Sequence, residues 1–360
     1  MSGEPKTRDR VVQRPIVESP RVPKPHGAGG SWRRRMYVAG AVLAGSLTVV
    51  ILAQHAVIRE IDQSRTRNLQ SSSAADGATA ANSQPSRNTP SSNGSKHVTV
   101  IGSSSRLSWP PPSLVKPMTL AVLPGKRSIK LSPVQDYRIV LPDPPADLGG
   151  GVTITGGRNV VVIGGMISIP SRADVPTDKD RRGLYLKGQT GTVHIEGVHI
   201  TGDVSDGINL DERKGAVVQL QNILIDRVHG GAAGHHADVV QTWAGPEILR
   251  IDGLRATTEY QGLFLLPNQQ WKDGRPREIT IRRSLITMAA GSGYALWLPE
   301  RRPKWLDWSG LTIQVSSARS LRKLTWPDSR LGVKTIDDAA VIQMEQGNPG
   351  PSYHTPGYMS

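Results

Sequence analysis

Short apolar runs recur from about residue 160 onward, in two separate columns with intervals of 23 to 32 residues. The first column, with spacings of 32, 25, 31 and 30 residues, is anchored by Ile163, Ile195, Leu220, Ile251 and Ile281, and Trp308 extends it by 27. The second column, with spacings of 24, 32, 23 and 31 residues, begins at Gly183, Gly207, Val239, Gly262 and Gly293. One such coil cannot cover its own apolar face, whereas stacked coils can, so the repeat predicts an all-β solenoid.

This repeat architecture resembles the right-handed parallel β-helix superfamily, whose pectate-lyase-like fold is shared by many polysaccharide lyases, epimerases and glycosidases. The resemblance covers roughly residues 135–345, and we expect the β-helix domain to span residues 113–345. The chain lacks the Trp-Ile-Asp-His run of pectate lyases, the four-motif set of polygalacturonases (Asn-Thr-Asp, Asp-Asp, Gly-His-Gly, Arg-Ile-Lys) and the Asp-Pro-His run of alginate epimerases. The resemblance therefore implies a fold and a broad carbohydrate-active class, without one specific reaction.

Composition divides the rest of the chain. Residues 1–35 are rich in Pro and charge, with nine Lys/Arg against three Asp/Glu, and predict a disordered cytoplasmic tail. Residues 36–58 predict one transmembrane signal-anchor helix, with a cleaved signal peptide as the alternative. Residues 59–112, rich in Ser, Ala and Pro, predict a flexible linker, and residues 346–360 predict a frayed tail. We therefore expect a single-pass protein of the plasma (inner) membrane, with its N-terminus cytoplasmic and its C-terminal domain extracytoplasmic.

Charge and cysteine content narrow the classes of ligand. The chain has no Cys, which excludes disulfides, thiol catalysis and Cys-ligated metals. Of the formal charge of +14, residues 1–35 contribute +6, residues 59–96 contribute +2 and the remainder +6, so the predicted domain is only mildly basic. That balance suits an anionic polysaccharide, and it is also compatible with an ordinary soluble surface. No basic stretch with interleaved aromatic residues occurs, so we expect no nucleic-acid partner.

The stretch from residue 235 to residue 243 (HHADVVQTW) holds two imidazoles, a carboxylate, a carboxamide and an indole. Corresponding residues of adjacent coils lie about 4.8 Å apart in a parallel ladder. Aligning Ile208 with Val240 therefore predicts three neighbouring pairs: Asn209 beside Gln241, Asp211 beside Trp243, and Asp206 beside Asp238. Tyr185 and Lys187 are expected one coil before them.

Candidate roles follow from this map. The acids, bases and cations expected on one face are the candidate catalytic residues: His236, Asp238, Asp206, Lys187, Arg213 and Tyr260. The amides, the second imidazole and two indoles are the candidate substrate-binding residues: Asn209, Gln241, Trp243, His235 and Trp297. The expectation for cofactors is either none or a divalent cation such as Ca²⁺ held by Asp206, Asp211 and Asp238.

Structural interpretations compete with these roles. Asp206 and Asp238 could cap backbone amides at turns, and Asn209 beside Gln241 could form an amide ladder that only stabilises stacked coils. The aromatic composition favours a binding face, because the chain has eight Trp and one Phe. Indoles in a groove offer sugar rings a flat face and an N–H donor.

The leading hypothesis is a carbohydrate-active protein that acts on an acidic polysaccharide by β-elimination or epimerisation. A metal ion or Arg213 would neutralise a uronate carboxylate and so acidify the adjacent ring proton. His236 or Lys187 would remove that proton, and Tyr260 would protonate the leaving oxygen. The alternatives are a non-catalytic module that binds a glycan or a partner in the cell envelope, a glycoside hydrolase that uses the paired aspartates, and a scaffold in a membrane assembly.

Overall fold

The computed structural model describes the chain from Val98 onward, with short gaps. The residues described are 98–101, 104–143, 145–175, 177–230, 235–272, 274–289, 293–315, 324–327, 331–337 and 340–359. The predicted tail (1–35), the predicted transmembrane helix (36–58) and most of the predicted linker (59–112) lie outside them. Within the described ranges no helix occurs that could cross a membrane.

Three parallel sheets, here called sheets 1, 2 and 3, make up nearly all of the described strands. Sheet 1 contains β2 (Met118–Ala121), β4 (Tyr137–Val140), β6 (Val160–Ile163), β9 (Thr192–Glu196), β12 (Val217–Gln221), β15 (Ile248–Asp252), β18 (Glu278–Arg282) and β21 (Leu306–Asp307). Sheet 2 contains β7 (Met166–Ile169), β10 (His199–Gly202), β13 (Leu224–Val228), β16 (Arg255–Thr258), β19 (Ser284–Met288), β22 (Leu311–Val315) and β24 (Lys334–Asp337).

Sheet 3 contains β3 (Ser128–Leu131), β5 (Val152–Gly156), β8 (Leu184–Lys187), β11 (Ile208–Asp211), β14 (Asp238–Ala244), β17 (Gln261–Leu265), β20 (Leu296–Trp297) and β23 (Thr325–Trp326). A separate parallel pair joins β1 (Val98–Ile101) to β25 (Val341–Met344). A typical coil passes from sheet 1 to sheet 2 to sheet 3, as β9, β10 and β11 do before β12 returns to sheet 1. The described part of the chain is thus an all-β solenoid of parallel strands, like a β-helix, as the repeat predicted.

The corner between sheets 1 and 2 has the same backbone form in successive coils. One residue there takes a positive φ: Gly164 (70°), Gly197 (66°), Asn222 (47°), Gly253 (73°) and Arg283 (41°). Glycine and asparagine adopt this left-handed conformation at low cost, which explains why they recur at this point of the repeat. At Gly197 a Cβ would also lie 2.1 Å from the ring of Tyr353, so the close approach independently requires glycine.

The first sequence column follows the register of sheet 1 after its first member. Ile195, Leu220, Ile251 and Ile281 are successive ladder partners, as predicted. The partner of Ile195 in the preceding coil is Val162, whereas Ile163 lies opposite Glu196 and points outward. The alignment of Ile163 was therefore wrong by one residue. In a run of four apolar residues (Val160 to Ile163) apolar and polar positions do not alternate, so the sequence does not show which residues face inward.

The second sequence column follows sheet 3 up to its last member. Leu184 pairs with Ile208, Ile208 with Val240, and Val240 with Leu263. The partner of Leu263 is Leu296, two residues later than the position predicted from Gly293. A shift of two residues does not change which side chains face inward, so the pattern of the core is unaffected. On the outer face, the neighbour of Phe264 becomes Trp297.

Inward-facing aliphatic side chains form one continuous core through the stack. Completely buried members line all three sheets: Ile195, Leu220 and Ile251 in sheet 1, Ile200, Ile225 and Ile286 in sheet 2, and Leu186, Leu210 and Leu265 in sheet 3. Each side chain of this kind contributes about 1.5–3 kcal/mol when it is buried. The core therefore provides a rigid support for the outer face of each sheet.

The C-terminal segment, residues 346–359, packs on sheet 1, so the prediction of a frayed tail is wrong. Tyr353 Oη and Tyr358 Oη donate to the two oxygens of Glu196 at 3.0 and 2.6 Å, and Glu196 is completely buried. His194 Nε2 lies 2.8 Å from the same carboxylate. Burial opposes ionisation of Glu196, but the hydrogen bonds from His194, Tyr358 and Thr355 outweigh it and lower the pKa of this carboxyl.

The chain just before β2 also packs on sheet 1, so the last part of the predicted linker belongs to the folded unit. Ser108 N donates to Asp252 Oδ2 at 2.8 Å, and Trp109 N donates to Gln221 Oε1 at 2.9 Å. Asp252 also accepts from Arg283 Nε at 2.7 Å. Together with the C-terminal segment, these residues cover a row of polar side chains that would otherwise face solvent.

Candidate functional site

The outer face of sheet 3 brings most of the predicted site residues together in two rows. The outer row has one residue per coil, paired along the ladder: Tyr185, Asn209, Gln241, Phe264, Trp297 and Trp326. The corner row lies at the start of the same strands, within two residues of their first position, and consists of Arg182, Asp206, Asp238 and Gln261. Gly183 N donates to Asp206 O and Gly207 N donates to Asp238 O, each at 2.8 Å, so the corner row continues the parallel ladder.

Asp206 is the most connected member of the corner row. Its carboxylate accepts from Asp238 N at 3.1 Å, Asn209 Nδ2 at 3.2 Å and Arg182 Nε at 3.3 Å, and the residue is 2% exposed. These donors compensate the loss of water around a buried charge. Asp206 therefore does cap a backbone amide, as the structural interpretation expected, and it does so while binding two side chains.

His235 lies between two carboxylates. Its Nδ1 is 3.3 Å from Asp178 Oδ2, and its Nε2 is 3.4 Å from Asp206 Oδ1, an ion-pair distance with poor hydrogen-bond alignment. The interaction with Asp206 raises the pKa of His235 above its ordinary value, against the opposing effect of burial, and the charge of Asp178 adds to the rise. The two neighbouring carboxylates thus favour the protonated form of His235.

Asp238 differs from Asp206 in its ionisation. It is 2% exposed, and its Oδ1 has no hydrogen-bond partner among the residues that the structure describes. Burial, reinforced by the negative charge of Asp206, raises the pKa of Asp238 well above its ordinary value. Burial and the charge of Asp206 therefore both favour the neutral form of Asp238.

Asn209 and Gln241 form the predicted pair. Asn209 Nδ2 donates to Gln241 Oε1 at 2.8 Å, which is the geometry of an amide ladder. The Asn209 Oδ1 atom is buried without a partner in the described part of the chain. The pair therefore stabilises the stacking and also leaves one acceptor in the site unsatisfied.

Asp211 is held by three side chains. Arg213 Nε donates to its Oδ1 at 2.6 Å, Lys187 Nζ lies 3.5 Å from its Oδ2, and Tyr185 Oη donates to the same oxygen at 3.3 Å. Burial, with the charge of Asp211, raises the pKa of Tyr185 to about 12. Lys187 and Arg213 are therefore committed to Asp211, although both remain largely exposed.

Glu212, the next residue, points into the corner between sheets 3 and 1. It is completely buried, and it accepts from Gln189 N at 2.8 Å while its Oε1 has no partner among the described residues. Burial raises the pKa of Glu212 to about 8. This carboxyl is therefore neutral over most of the physiological range.

The second imidazole, His236, is exposed and stacks on Tyr260. Their ring centroids are 4.9 Å apart and the planes are inclined by 30°. Tyr260 immediately precedes Gln261 of the corner row, so the pair lies at the edge of the same face. Sequence analysis predicted a base and an acid here, and the structure brings the two rings into contact.

Trp243 departs from its predicted place. The register of β11 and β14 shifts after Leu210, so Asp211 lies opposite Ala244 and Trp243 is the extra residue of a bulge. The indole reaches back over two coils, where its centroid is 6.0 Å from that of Tyr185 and 4.7 Å from Arg182 Cζ. The expected neighbour relation of Trp243 with Asp211 is therefore wrong, because a bulge adds one residue to one strand of a pair.

The distal part of the outer row is aromatic. Trp297 contacts Phe264, Tyr294 and Trp326, with centroid distances of 5.3, 5.2 and 5.8 Å. Trp326 is 44% exposed. The outer row therefore changes from polar to aromatic along the solenoid, and the predicted binding residue Trp297 lies in the aromatic part.

The three aspartates expected to hold a metal do not fit that role. Among the described residues, no group of three or more acidic or imidazole side chains is arranged to hold a metal ion. Asp211 is bound to Arg213 and Lys187, and the raised pKa of Asp238 disfavours the ionised form that a metal ligand needs. The expectation of a joint site at Asp206, Asp211 and Asp238 is corrected accordingly.

Sequence analysis missed Arg182. It occupies the corner row one coil before Asp206, and the same alignment that paired Asp206 with Asp238 places it there. The signal was present in Arg181-Arg182-Gly183, because the residue before each Gly-led or Val-led run belongs to this row. Only the second arginine reaches the outer face, since Arg181 is completely buried and binds Asp203 and Asp178.

Fold and site together define a parallel β-solenoid protein with a charged and aromatic surface on the outer face of one sheet. Comparison with known proteins found no matching family model, no matching curated protein and no matching solved structure.

Proposed function

We propose that the solenoid is a right-handed parallel β-helix of the pectate-lyase-like superfamily, and that it acts on an acidic polysaccharide by β-elimination or epimerisation. The observation that carries the proposal is the stacked His236–Tyr260 pair at the edge of a face that also presents cationic side chains. Repeat architecture and the parallel sheets support the superfamily assignment.

The proposed reaction needs a base, an acid and a positive charge near the substrate carboxylate. The lone pair of the His236 ring takes the ring proton adjacent to the carboxylate, and the electron pair of the broken C–H bond forms the new carbon–carbon double bond as the bond to the leaving oxygen breaks. Tyr260 delivers a proton to that oxygen. In epimerisation no bond to oxygen breaks, and the ring carbon regains a proton from the opposite side.

The test is turnover of a panel of uronate polymers, followed by ultraviolet absorbance of the new double bond and by proton exchange in deuterated water. We expect one polymer to react and His236→Ala to lower kcat by about 10²-fold or more, as loss of a general base does. No turnover of any polymer by the full chain would contradict the enzymatic proposal.

A second candidate is a glycoside hydrolase. It is favoured by two neighbouring carboxyls in different surroundings, since the pKa of Asp238 is raised by burial and Asp206 Oδ1 accepts from Asp238 N. Both residues are 2% exposed, however, so substrate would reach them only after Arg182 and Trp243 moved. Release of reducing ends without new absorbance would favour this reaction.

A third candidate is a glycan-binding module without catalysis. The aromatic part of the outer row favours it, because exposed indoles bind sugar rings without any reacting group. Here His236→Ala would leave glycan binding intact, whereas Trp297→Ala would weaken it.

For location we propose a single-pass anchor at residues 36–58, with the solenoid outside the plasma membrane. The basic excess before the apolar segment supports this orientation. Protease added to intact spheroplasts should digest the solenoid and spare the N-terminal tail, and protection of the solenoid would contradict the proposed topology.

A further inference from the structure

Arg182 differs from the other arginines of this face in how its guanidinium is held. Its Nε donates to Asp206, and its Cζ lies 4.7 Å from the centroid of Trp243 and 5.8 Å from that of Tyr185. Neither terminal nitrogen bonds to any residue that the structure describes. Arg213, in contrast, directs Nε and Nη2 onto Asp211.

This arrangement orients a planar donor. One edge of the guanidinium is fixed by Asp206 and one face by the indole. The direction of the edge formed by the two terminal nitrogens, which have no partner among the described residues, is therefore set. Two parallel N–H groups match the two oxygens of a carboxylate, and a guanidinium already fixed by stacking loses little further freedom on binding.

The charge of Arg182 is available to a ligand. Asp206 is shared among Arg182, Asn209, the amide of Asp238 and His235, so it does not bind Arg182 alone. Burial and the charge of Asp206 favour the neutral form of Asp238, the next carboxyl in the corner row. Among the described residues, Asp206 is thus the one carboxylate that pairs with Arg182.

We propose that Arg182 is the residue that binds the carboxylate of an acidic sugar, and that Trp243 positions Arg182. This inference rests on the proposed action on an acidic polysaccharide and names the group that recognises the acid. It also changes the role of Trp243, because the indole face that a sugar would use is occupied by the guanidinium.

Arg282 provides a matched control on sheet 1. Its Cζ lies 4.9 Å from the centroid of Trp109, so an arginine also stacks on a tryptophan there. This second pair lies away from the corner row of sheet 3. Arg282→Gln thus removes a stacked, exposed arginine and leaves sheet 3 unchanged.

The experiment is calorimetric titration of the full chain with oligomers of galacturonate, of mannuronate and guluronate, and of glucuronate, each compared with its carboxyl-reduced form. We expect the unmodified chain to bind one acidic oligomer at least about tenfold more tightly than the reduced form. Arg182→Gln should abolish that preference, Arg182→Lys should keep part of it, and Arg282→Gln should keep all of it.

The positioning role of Trp243 has its own readout. Trp243→Ala should reduce the preference for the acidic oligomer and its salt dependence, and Trp243→Phe should restore part of both, while the unfolding midpoint reports any structural damage separately. Equal binding of acidic and reduced oligomers by the unmodified chain would overturn the inference, as would full preference in Arg182→Gln.

Failure of this inference and failure of the proposed reaction give different results. If the chain prefers the acidic oligomer through Arg182 but turns over no polymer, the proposed reaction is wrong and the carboxylate-binding role of Arg182 stands. If Arg182→Gln leaves both turnover and the preference for the acidic oligomer unchanged, the proposed reaction stands and the carboxylate-binding role of Arg182 is wrong.

Discussion

Two polar surfaces of the solenoid contain the same kinds of side chain and differ in what covers them. On sheet 1, Glu196 accepts hydrogen bonds from Tyr353 and Tyr358 of the C-terminal segment, and its pKa is lowered. On sheet 3, Asp238 keeps an oxygen without a partner in the described part of the chain, and its pKa is raised. A histidine lies beside a carboxylate in both places.

The difference shows that residue types alone do not distinguish a structural cluster from a functional one. A carboxylate whose oxygens are all paired and which is covered by its own chain has no remaining capacity for a ligand. On sheet 3, acceptor atoms of Asp238 and Asn209 have no partner in the described part of the chain, and the guanidinium of Arg182 is oriented beside them. This surface therefore can still bind a ligand.

The largest effect is expected on the covered surface. Glu196→Ala leaves His194, Tyr353 and Tyr358 without their common acceptor and should lower the free energy of unfolding by about 3 kcal/mol. Urea denaturation measures the loss, with Glu300→Ala on the exposed surface as the control. A loss below 1 kcal/mol would show that the C-terminal segment does not depend on this carboxylate.

The next effect concerns the pH dependence of Glu212. Its folded pKa of about 8 exceeds its ordinary value of 4.5, so its stabilising contribution is complete below pH 4.5 and is lost as pH rises toward 8. Glu212→Gln should remove this loss and raise the free energy of unfolding at pH 8 by on the order of 3 kcal/mol. Urea titrations at several pH values measure it, and an unchanged pH slope in the variant would contradict the neutral state of Glu212.

A smaller effect is expected at Asp206. Asp206→Asn removes the charge that raises the pKa of His235, so the imidazole should titrate nearer its ordinary value of 6.5. The cost in unfolding free energy, about 1–2 kcal/mol, should be greater below pH 6.5, where the His235 contribution is complete, than above the raised pKa, where it is lost. NMR titration of the His235 ring is the measurement, with Asp178→Asn as a comparison that should lower the pKa less.

The smallest effect is expected at Asp238. Because burial and the charge of Asp206 favour the neutral form of Asp238, Asp238→Asn replaces this carboxyl by a neutral group of similar shape and should change the free energy of unfolding near pH 7 by less than about 1 kcal/mol. The same urea assay applies. A loss as large as that of Glu196→Ala would mean that Asp238 is ionised, and the contrast between the two surfaces would disappear.

Much of the solenoid could be predicted from the sequence because a parallel ladder places like positions on like positions. Asn209 beside Gln241, and Tyr185 and Lys187 one coil earlier, follow from the period alone. The errors arise where a coil gains or loses residues outside the repeat. The bulge at Trp243 and the shifted register of Leu296 are of this kind, since neither changes the alternation that a sequence displays.

The covered surface could not be predicted because its contacts join distant parts of the chain. The C-terminal segment is rich in Gly and Pro, as flexible tails are, and it is the buried Glu196, distant in sequence, that accepts hydrogen bonds from Tyr353 and Tyr358. Ser108 and Trp109 likewise find acceptors more than a hundred positions away, in Asp252 and Gln221. Local composition has no information about such partners.

The attachment of Ser108 and Trp109 has a mechanical consequence. The chain preceding β2 is fastened to Asp252 on β15 and to Gln221 on β12, which are interior strands of sheet 1. Tension arriving along that chain loads the β1–β25 pair first and then reaches the middle of the stack through the bonds of Ser108 and Trp109. The first coil, whose strands β2 and β3 each have a neighbour on one side only, is left outside the path of the load.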